Sequence, residues 1–234
     1  MCLPTYNERE NLEAMVDALT AVLPADGRIL VVDDNSPDGT GQVAEGLAAH
    51  RSNLDVLHRP RKDGLGPAYL AGFRRALELG AQLVFEMDCD FSHDPADVPR
   101  LAAAAEQADL VLGSRYVPGG GTANWGLLRR LISRWGSFYA QVLLGVRVRD
   151  LTGGFKCYRR EVLERIDLDA IHSKGYAFQI ETTYRTLRAG FRVVEVPITF
   201  SDREVGGSKM SNAIVLEAIW KVPALRLRAA RGRL

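Results

Sequence analysis

The sequence predicts an α/β fold: a doubly wound, mostly parallel sheet covered by helices on both faces, with amphipathic helices towards the C-terminal end. Three observations predict it. Short, continuous apolar runs alternate with amphipathic stretches of helical period through residues 1–115. Such runs suit strands covered on both faces, whereas a sheet with one wet face would alternate polar and apolar residues. The connections are long enough for the crossover helices that parallel strands require. Each run also ends in a polar cluster, and open parallel sheets bind ligands outside the carboxyl ends of their strands.

The elements follow in order. Met1-Cys2-Leu3 opens a strand that ends in Pro4-Thr5-Tyr6-Asn7. It is short enough to be read as a trimmed or misassigned beginning, with no signal peptide ahead of it. Asn11 to Leu23 is helical, RILVVDD a strand, Thr40 to His50 a helix and LDVLH a strand. Pro67 to Leu79 forms the next helix, AQLVFEMD a strand, Val98 to Ala108 a helix and ADLVLGS a strand. These residues make a Rossmann-like core over 1–115. Beyond it, YVPGGG leads to a basic amphipathic helix from Trp125 to Val146. There Leu128, Leu131, Ile132, Trp135, Phe138, Tyr139 and Val142 recur at spacings of three and four. DLTGGFKCYRR follows without an assigned element, then helices from Arg160 and from Tyr176 to Ala189, and FRVVEVPITF as one strand. The Gly-rich SDREVGGSKMS loop precedes a last helix and a basic tail.

With 234 residues, 47% hydrophobic and 25% charged, the chain can bury a sizeable core. Cys2, Cys89 and Cys157 form no CxxC pair, which points to a reducing compartment without a disulfide framework or structural zinc. The longest uncharged apolar stretch, Trp135 to Val146, has 12 residues, short of the ~18–20 that span a bilayer. The net charge of +1 conceals two basic segments. Asn124 to Arg149 holds five arginines and Lys221 to Leu234 five basic residues, neither with an acid; removing these ten from +1 leaves −9 for the remainder. Basic residues interleaved with Trp125, Trp135, Tyr139 and leucines suit a helix lying on a membrane better than a nucleic-acid groove. The chain is therefore expected to have no nucleic-acid partner and to be cytoplasmic, peripheral on the cytoplasmic face of a membrane.

In FEMDCDFSHDP an apolar strand ends in Asp88, Asp90, His93 and Asp94 within seven positions. Carboxylates at the end of a buried strand are costly without a partner. Asp88 and Asp90, two apart, project to one side of an extended segment. Such a pair suits a hard divalent cation, Mg²⁺ or Mn²⁺, that also takes diphosphate oxygens. Equally, one aspartate can cap the next helix while the other faces solvent. His93 reads as a turn residue. Asp33 to Gly39 has the composition of a turn, within which Asp34 can accept hydrogen bonds from a base or ribose. Arg59, Arg61 and Lys62 precede Gly64-Leu65-Gly66 as a basic loop at a helix N-terminus, an arrangement able to hold phosphate. Arg203 and Lys209 bracket Gly206-Gly207, either as solvated charges or as a lid over a pyrophosphate.

Taken in order, PTYNERENL, VVDDNSPDGT, RPRKDGLGPAYLAGF, MDCDFSH, GSRYV, DLTGGFKCYRR, SKGYAFQIE, EVPITF and DREVGGSKM resemble the family 2 glycosyltransferases of GT-A-type fold. Within them the chain is most similar to the dolichyl/polyprenyl-phosphate mannose synthases, from residue 4 to about 210. The resemblance implies inverting transfer of mannose from GDP-mannose to a polyprenyl (dolichyl-type) monophosphate, giving a β-linked mannosyl phospholipid and GDP. A polyprenyl-phosphate glucosyltransferase using UDP-glucose is the alternative. By motif, Pro4, Tyr6, Glu8, Val32 and Asp34 would contact the nucleotide. Asp88, Cys89 and Asp90 would surround the diphosphate and metal, and Ser92 stands where some relatives carry Gln as a further ligand. Arg203 and Lys209 would join Asp88 and Asp90 at the leaving diphosphate; Arg115, Arg129 and Arg130 would hold the acceptor phosphate, and Gln179 and Glu181 the sugar.

The organisation so implied is a catalytic domain over 1–210, with a nucleotide-sugar-binding half (1–115) and an acceptor-binding half (116–210), then a basic amphipathic tail (211–234). Relatives commonly have Ala where Cys89 stands. Some carry C-terminal membrane spans, so a membrane-anchoring partner protein is a further expectation. A sugar nucleotidyltransferase would need a glycine-rich first loop that PTYNERE lacks. A phosphoacceptor receiver module is about half this length, and a non-catalytic membrane binder has no need of paired aspartates.

Overall fold

The computed structural model describes residues 1–202, 212–232 and 234. Its elements are β1 (Cys2–Thr5), α1 (Arg9–Val22), β2 (Ile29–Asp33), α2 (Thr40–Ala48), β3 (Leu54–His58), α3 (Leu65–Glu78), β4 (Leu83–Glu86), α4 (Val98–Ala104) and β5 (Leu110–Ser114). There follow β6 (Gly121–Thr122), α5 (Leu127–Leu144), β7 (Lys156–Arg159), α6 (Arg160–Arg165), α7 (Gly175–Arg188), β8 (Val193–Pro197), β9 (Thr199–Phe200) and α8 (Asn212–Ala230). Seven strands form one sheet in the order β3-β2-β1-β4-β7-β5-β8; β6 and β9 pair separately. The α/β, doubly wound, mostly parallel architecture expected from the sequence is the one observed.

Its two faces bury different halves of the apolar pattern. All five residues of β2 are buried, as a continuous apolar run requires. On one face α1 and α4 pack Leu12, Met15, Leu19 and Leu101 against Val31, Phe85 and Val111. On the other, α3, α5 and α7 pack Tyr69, Phe73, Ala140, Phe178 and Ile180 against Val32, Val84 and Leu110. Helix α3 approaches the segment before α7 closely. A β-carbon on Gly66 would lie 2.4 Å from the Ser173 carbonyl oxygen, so no larger residue fits there without displacing backbone.

Four differences from the sequence-based expectation follow. Strand β4 ends at Glu86, so Asp88 and Asp90 lie in the loop beyond it and are not the last residues of the strand. KCYR, to which no element was assigned, is β7; it is short and bounded by Gly-Gly and a helix, and it carries a lysine, all of which mask a strand pattern. FRVVEVPITF is two strands: Pro197 lacks the N–H a ladder needs, and the chain leaves β8 there to pair β9 with β6. Finally, the halves 1–115 and 116–210 are interleaved, because β7 lies between β4 and β5.

The direction of β7 shapes the functional edge. It runs antiparallel to both neighbours, so its first residue lies where they end. Lys156 is opposite Glu86 on one side and Leu112 on the other. The DLTGGF loop therefore arrives at the edge that also receives the loops after β1, β2, β4 and β5.

Candidate active site

The first two loops are bound to each other. Asp38 Oδ1 accepts from the Thr40 backbone N–H (3.0 Å) and hydroxyl (2.6 Å), and its Oδ2 accepts from the Arg9 N–H (3.2 Å). The Glu8 N–H donates to Thr40 Oγ1 (3.0 Å), and the Asn11 amide donates to Glu8 Oε2 (2.8 Å). Asp33 holds the turn by accepting from the Ser36 hydroxyl (2.6 Å) and N–H (3.2 Å). Asp34 pairs with Arg59. Burial pushes the Asp34 carboxyl above its ordinary range, and Arg59 opposes that rise only in part. Lys62 Nζ sits 3.9 Å from the Tyr6 ring centroid, so the basic loop meets the first strand end. Pro4 is half-buried in β1. Val32 is a correction to its expected role: its side chain is fully buried in the core against Gly72, leaving at most its backbone for a nucleotide.

The third loop carries the aspartates. Tyr69, on α3, donates its hydroxyl to Asp88 Oδ1 at 3.3 Å. The Ser92 N–H donates to Asp90 Oδ1 (3.0 Å), forming a local turn. Phe91 takes a left-handed backbone (φ 58°), unusual for a bulky side chain and costing about 1–3 kcal/mol, a form of strain that clusters at functional sites. Cys89 is buried in the core on the α1 and α4 face. Two carboxylates fit a hard cation by donor chemistry. Among the described residues no group of three or more His, Cys, Asp or Glu side chains is placed to hold a metal ion. His93 is in a bend as expected, but it is also a core residue between Phe155 and Phe200. Burial pushes it down to about 4, so it is neutral at pH 7.

The fourth cluster is an ion-pair network. Arg115 reaches Asp150 through its backbone N–H (3.0 Å), Nε (2.7 Å) and a terminal nitrogen (2.6 Å), and also donates to Thr152 Oγ1 (2.9 Å). Its guanidinium charge, expected at a phosphate, is already matched by a carboxylate. Arg129 is the more accessible arginine. It bonds both oxygens of Asp202 (2.6 and 2.8 Å) and lies 4.3 Å from the Trp125 ring centroid. Burial raises the Tyr176 hydroxyl, which Arg115, Arg129 and Asp88 all influence electrostatically.

Helix α7 is joined to β7 and packs on α3. Lys156, fully buried, donates to the Gln179 carbonyl (2.9 Å), Gln179 Oε1 (2.6 Å) and Thr182 Oγ1 (3.2 Å), and lies 3.5 Å from Glu86. Burial drives both ions towards their neutral forms, lowering Lys156 and raising Glu86 to about 7. Glu181 accepts from Ser173 and from Arg185 (2.9 Å). Gln179 and Glu181, expected at the sugar, are each 2% exposed and bind inwards, locking α7 to its surroundings. Arg203 and Lys209 lie outside the described residues. Sequence reading passed over Glu86, Lys156 and Tyr69. Lysine opposite glutamate across adjacent strands becomes a visible signal only once β7 is recognised.

Residues 1–167 match the family described as Glycosyl transferase family 2. An undecaprenyl-phosphate mannosyltransferase of Micrococcus luteus is 51% identical over 236 residues, covering 99% of this chain and 97% of that protein. A polyprenol monophosphomannose synthase of Mycolicibacterium smegmatis is 51% identical over 233 residues, covering 99% and 88%. A solved structure of glucosyl-3-phosphoglycerate synthase from Mycobacterium tuberculosis, in complex with Mn²⁺ and UDP-glucose, shares the fold. Its TM-score is 0.71, with 20% identity over 96% of this chain and 77% of that one.

Proposed function

The chain belongs to glycosyl transferase family 2, and from that premise we propose that it transfers mannose from GDP-mannose to a polyprenyl monophosphate, with inversion, giving polyprenyl-phosphate β-mannose and GDP. One observation carries the reading: 51% identity over nearly the whole chain to two proteins named for polyprenyl-phosphate mannose synthesis. The geometry supports it. Nucleotide-side loops, paired aspartates and an arginine-bearing helix converge on one edge of the sheet.

The chemistry divides naturally. The acceptor is a phosphate already mostly ionised near neutral pH, since its second pKa is ~6, so it needs no strong general base. The difficulty lies in the departing diphosphate, whose developing charge must be stabilised. A divalent cation, Mg²⁺ or Mn²⁺, would supply that stabilisation as a Lewis acid, held by Asp88 and Asp90. Arg203 and Lys209 remain proposed partners of the same charge, while Arg129 would meet the acceptor phosphate by exchanging its exposed pairing with Asp202. Residues 1–115 would then serve the donor, and 116–210 the acceptor, with Arg203 and Lys209 of the second segment also meeting the donor diphosphate. The test is transfer from labelled GDP-mannose, GDP-glucose or UDP-glucose to a short polyprenyl phosphate with Mn²⁺. Mannose is expected to move; preference for UDP-glucose would overturn the assignment.

Helix α5 supports attachment to the membrane that holds such an acceptor. Leu127 is 74% exposed, Trp135 65% and Phe138 53%, and Trp220 of α8 is 77% exposed. Exposed apolar area of this kind marks an interaction surface, and each nearby arginine, such as Arg130 and Arg134, adds about 1 kcal/mol at an anionic membrane surface. Among the described residues no helix is long and apolar enough to cross a membrane. Trp135→Gln with Phe138→Gln should weaken binding to anionic vesicles at least about tenfold in a flotation assay. Unchanged binding would show that the stripe packs on protein.

A further inference from the structure

Tyr69 is fully buried on α3, one turn beyond Gly66. Its ring stacks nearly parallel to Phe178 of α7, with centroids 5.9 Å apart and planes 3° apart, and lies 5.8 Å from Phe73. Packing alone asks only for an aromatic ring. Phenylalanine would fill the position without bringing a hydroxyl into the core, where an unpaired polar group is costly. The hydroxyl is paired: it donates to Asp88 Oδ1 at 3.3 Å.

The surroundings fix that donor in depth and direction. Gly66 lets α3 approach so closely that an added β-carbon would stand 3.0 Å from the Phe178 ring. The stacked rings then leave the tyrosine little rotational freedom, whereas Asp88 itself lies in a loop beyond the end of β4. A rigid donor on a helix thereby restrains a carboxylate on a loop, and carboxylates that ligate metals are commonly oriented by such outer partners.

We propose that Tyr69 is a positioning residue for the nucleotide-sugar reaction, holding the Asp88 carboxylate in the orientation that receives the divalent cation. The proposal rests on the reading of Asp88 as a ligand of that cation.

Isothermal titration of the full-length protein with Mn²⁺, alone and with GDP, tests it in the parent, Tyr69→Phe, Asp88→Ala, Asp88→Asn and the Tyr69→Phe/Asp88→Asn double variant. Tyr69→Phe should bind Mn²⁺ about tenfold more weakly and melt close to the parent. In the Asp88→Asn background the same change should cost nothing further. Parental affinity in Tyr69→Phe, with loss in Asp88→Ala, would make Tyr69 a packing residue only. Additive losses in the double variant would likewise overturn the proposal. Parental affinity in Asp88→Ala would remove the reading of Asp88 itself, and the proposal with it.

Discussion

Asp90→Ala is expected to lower sugar transfer by about a thousandfold or more while the protein stays folded. The carboxylate is nearly buried and one oxygen orders the loop by accepting from the Ser92 N–H. That loop is in turn tied to the far segment, because the Ser201 N–H donates to the Ser92 carbonyl (3.0 Å). Alanine removes both the charge and the turn contact; the turn contact is worth about 1 kcal/mol, a shift of only a few degrees in melting temperature. Asp90→Asn separates the two roles, since an amide oxygen can still accept from Ser92 but brings no charge to a cation. Both variants should be inactive, and the asparagine variant should melt nearer the parent. Activity retained in either, measured by transfer and by thermal melts together, would remove Asp90 from the chemistry.

Asp150→Ala should give the largest loss of stability, about 3–5 kcal/mol, as when one partner of a buried ion pair is deleted. Asp150 is fully buried and accepts three hydrogen bonds from Arg115. The network continues, because Glu195 accepts from the Ser114 hydroxyl (2.7 Å) and from the Asp150 N–H (2.9 Å), joining β5, β8 and the DLTGGF loop. Burial alone would raise the Asp150 carboxyl, but the Arg115 charge and hydrogen bonds outweigh it and hold it below its ordinary range. A depressed carboxylate stabilises the fold above its unfolded pKa of about 3.9 and loses that contribution as pH falls through the folded value. Urea unfolding should therefore show the gap between parent and Asp150→Asn narrowing below about pH 4. A gap that is constant with pH would mean the pair is not what Asp150 supplies.

The strands of the first half were legible because each is a short apolar run between helix-length stretches; LDVLH coincides with β3 residue for residue. The aspartate loop was legible because two carboxylates follow such a run. Buried charge was not legible. Glu86 sits inside the run and Lys156 in a four-residue strand, so each looks like a surface residue until their cross-strand register is known. Arg115, Gln179 and Glu181 were legible as polar residues of the site edge, but not as residues whose polar groups bind inwards. For Arg115 and Gln179 that pairing depends on Asp150 and Lys156, which lie up to 35 residues away in sequence and adjoin them only in the fold. Helix α5 was legible in period and as a surface helix, and Trp135 and Phe138 of its apolar stripe are exposed.

The most direct measurement follows labelled mannose. With GDP-mannose, Mn²⁺ and vesicles containing either a polyprenyl monophosphate or the matching polyprenol, label should enter the organic-soluble fraction only where the acceptor carries phosphate. It should do so as the β anomer, with GDP released in equal amount, and Asp90→Ala should abolish it. Lipid-linked label from UDP-glucose but not GDP-mannose, or equal transfer to the polyprenol, would contradict a phosphate-accepting mannosyltransferase.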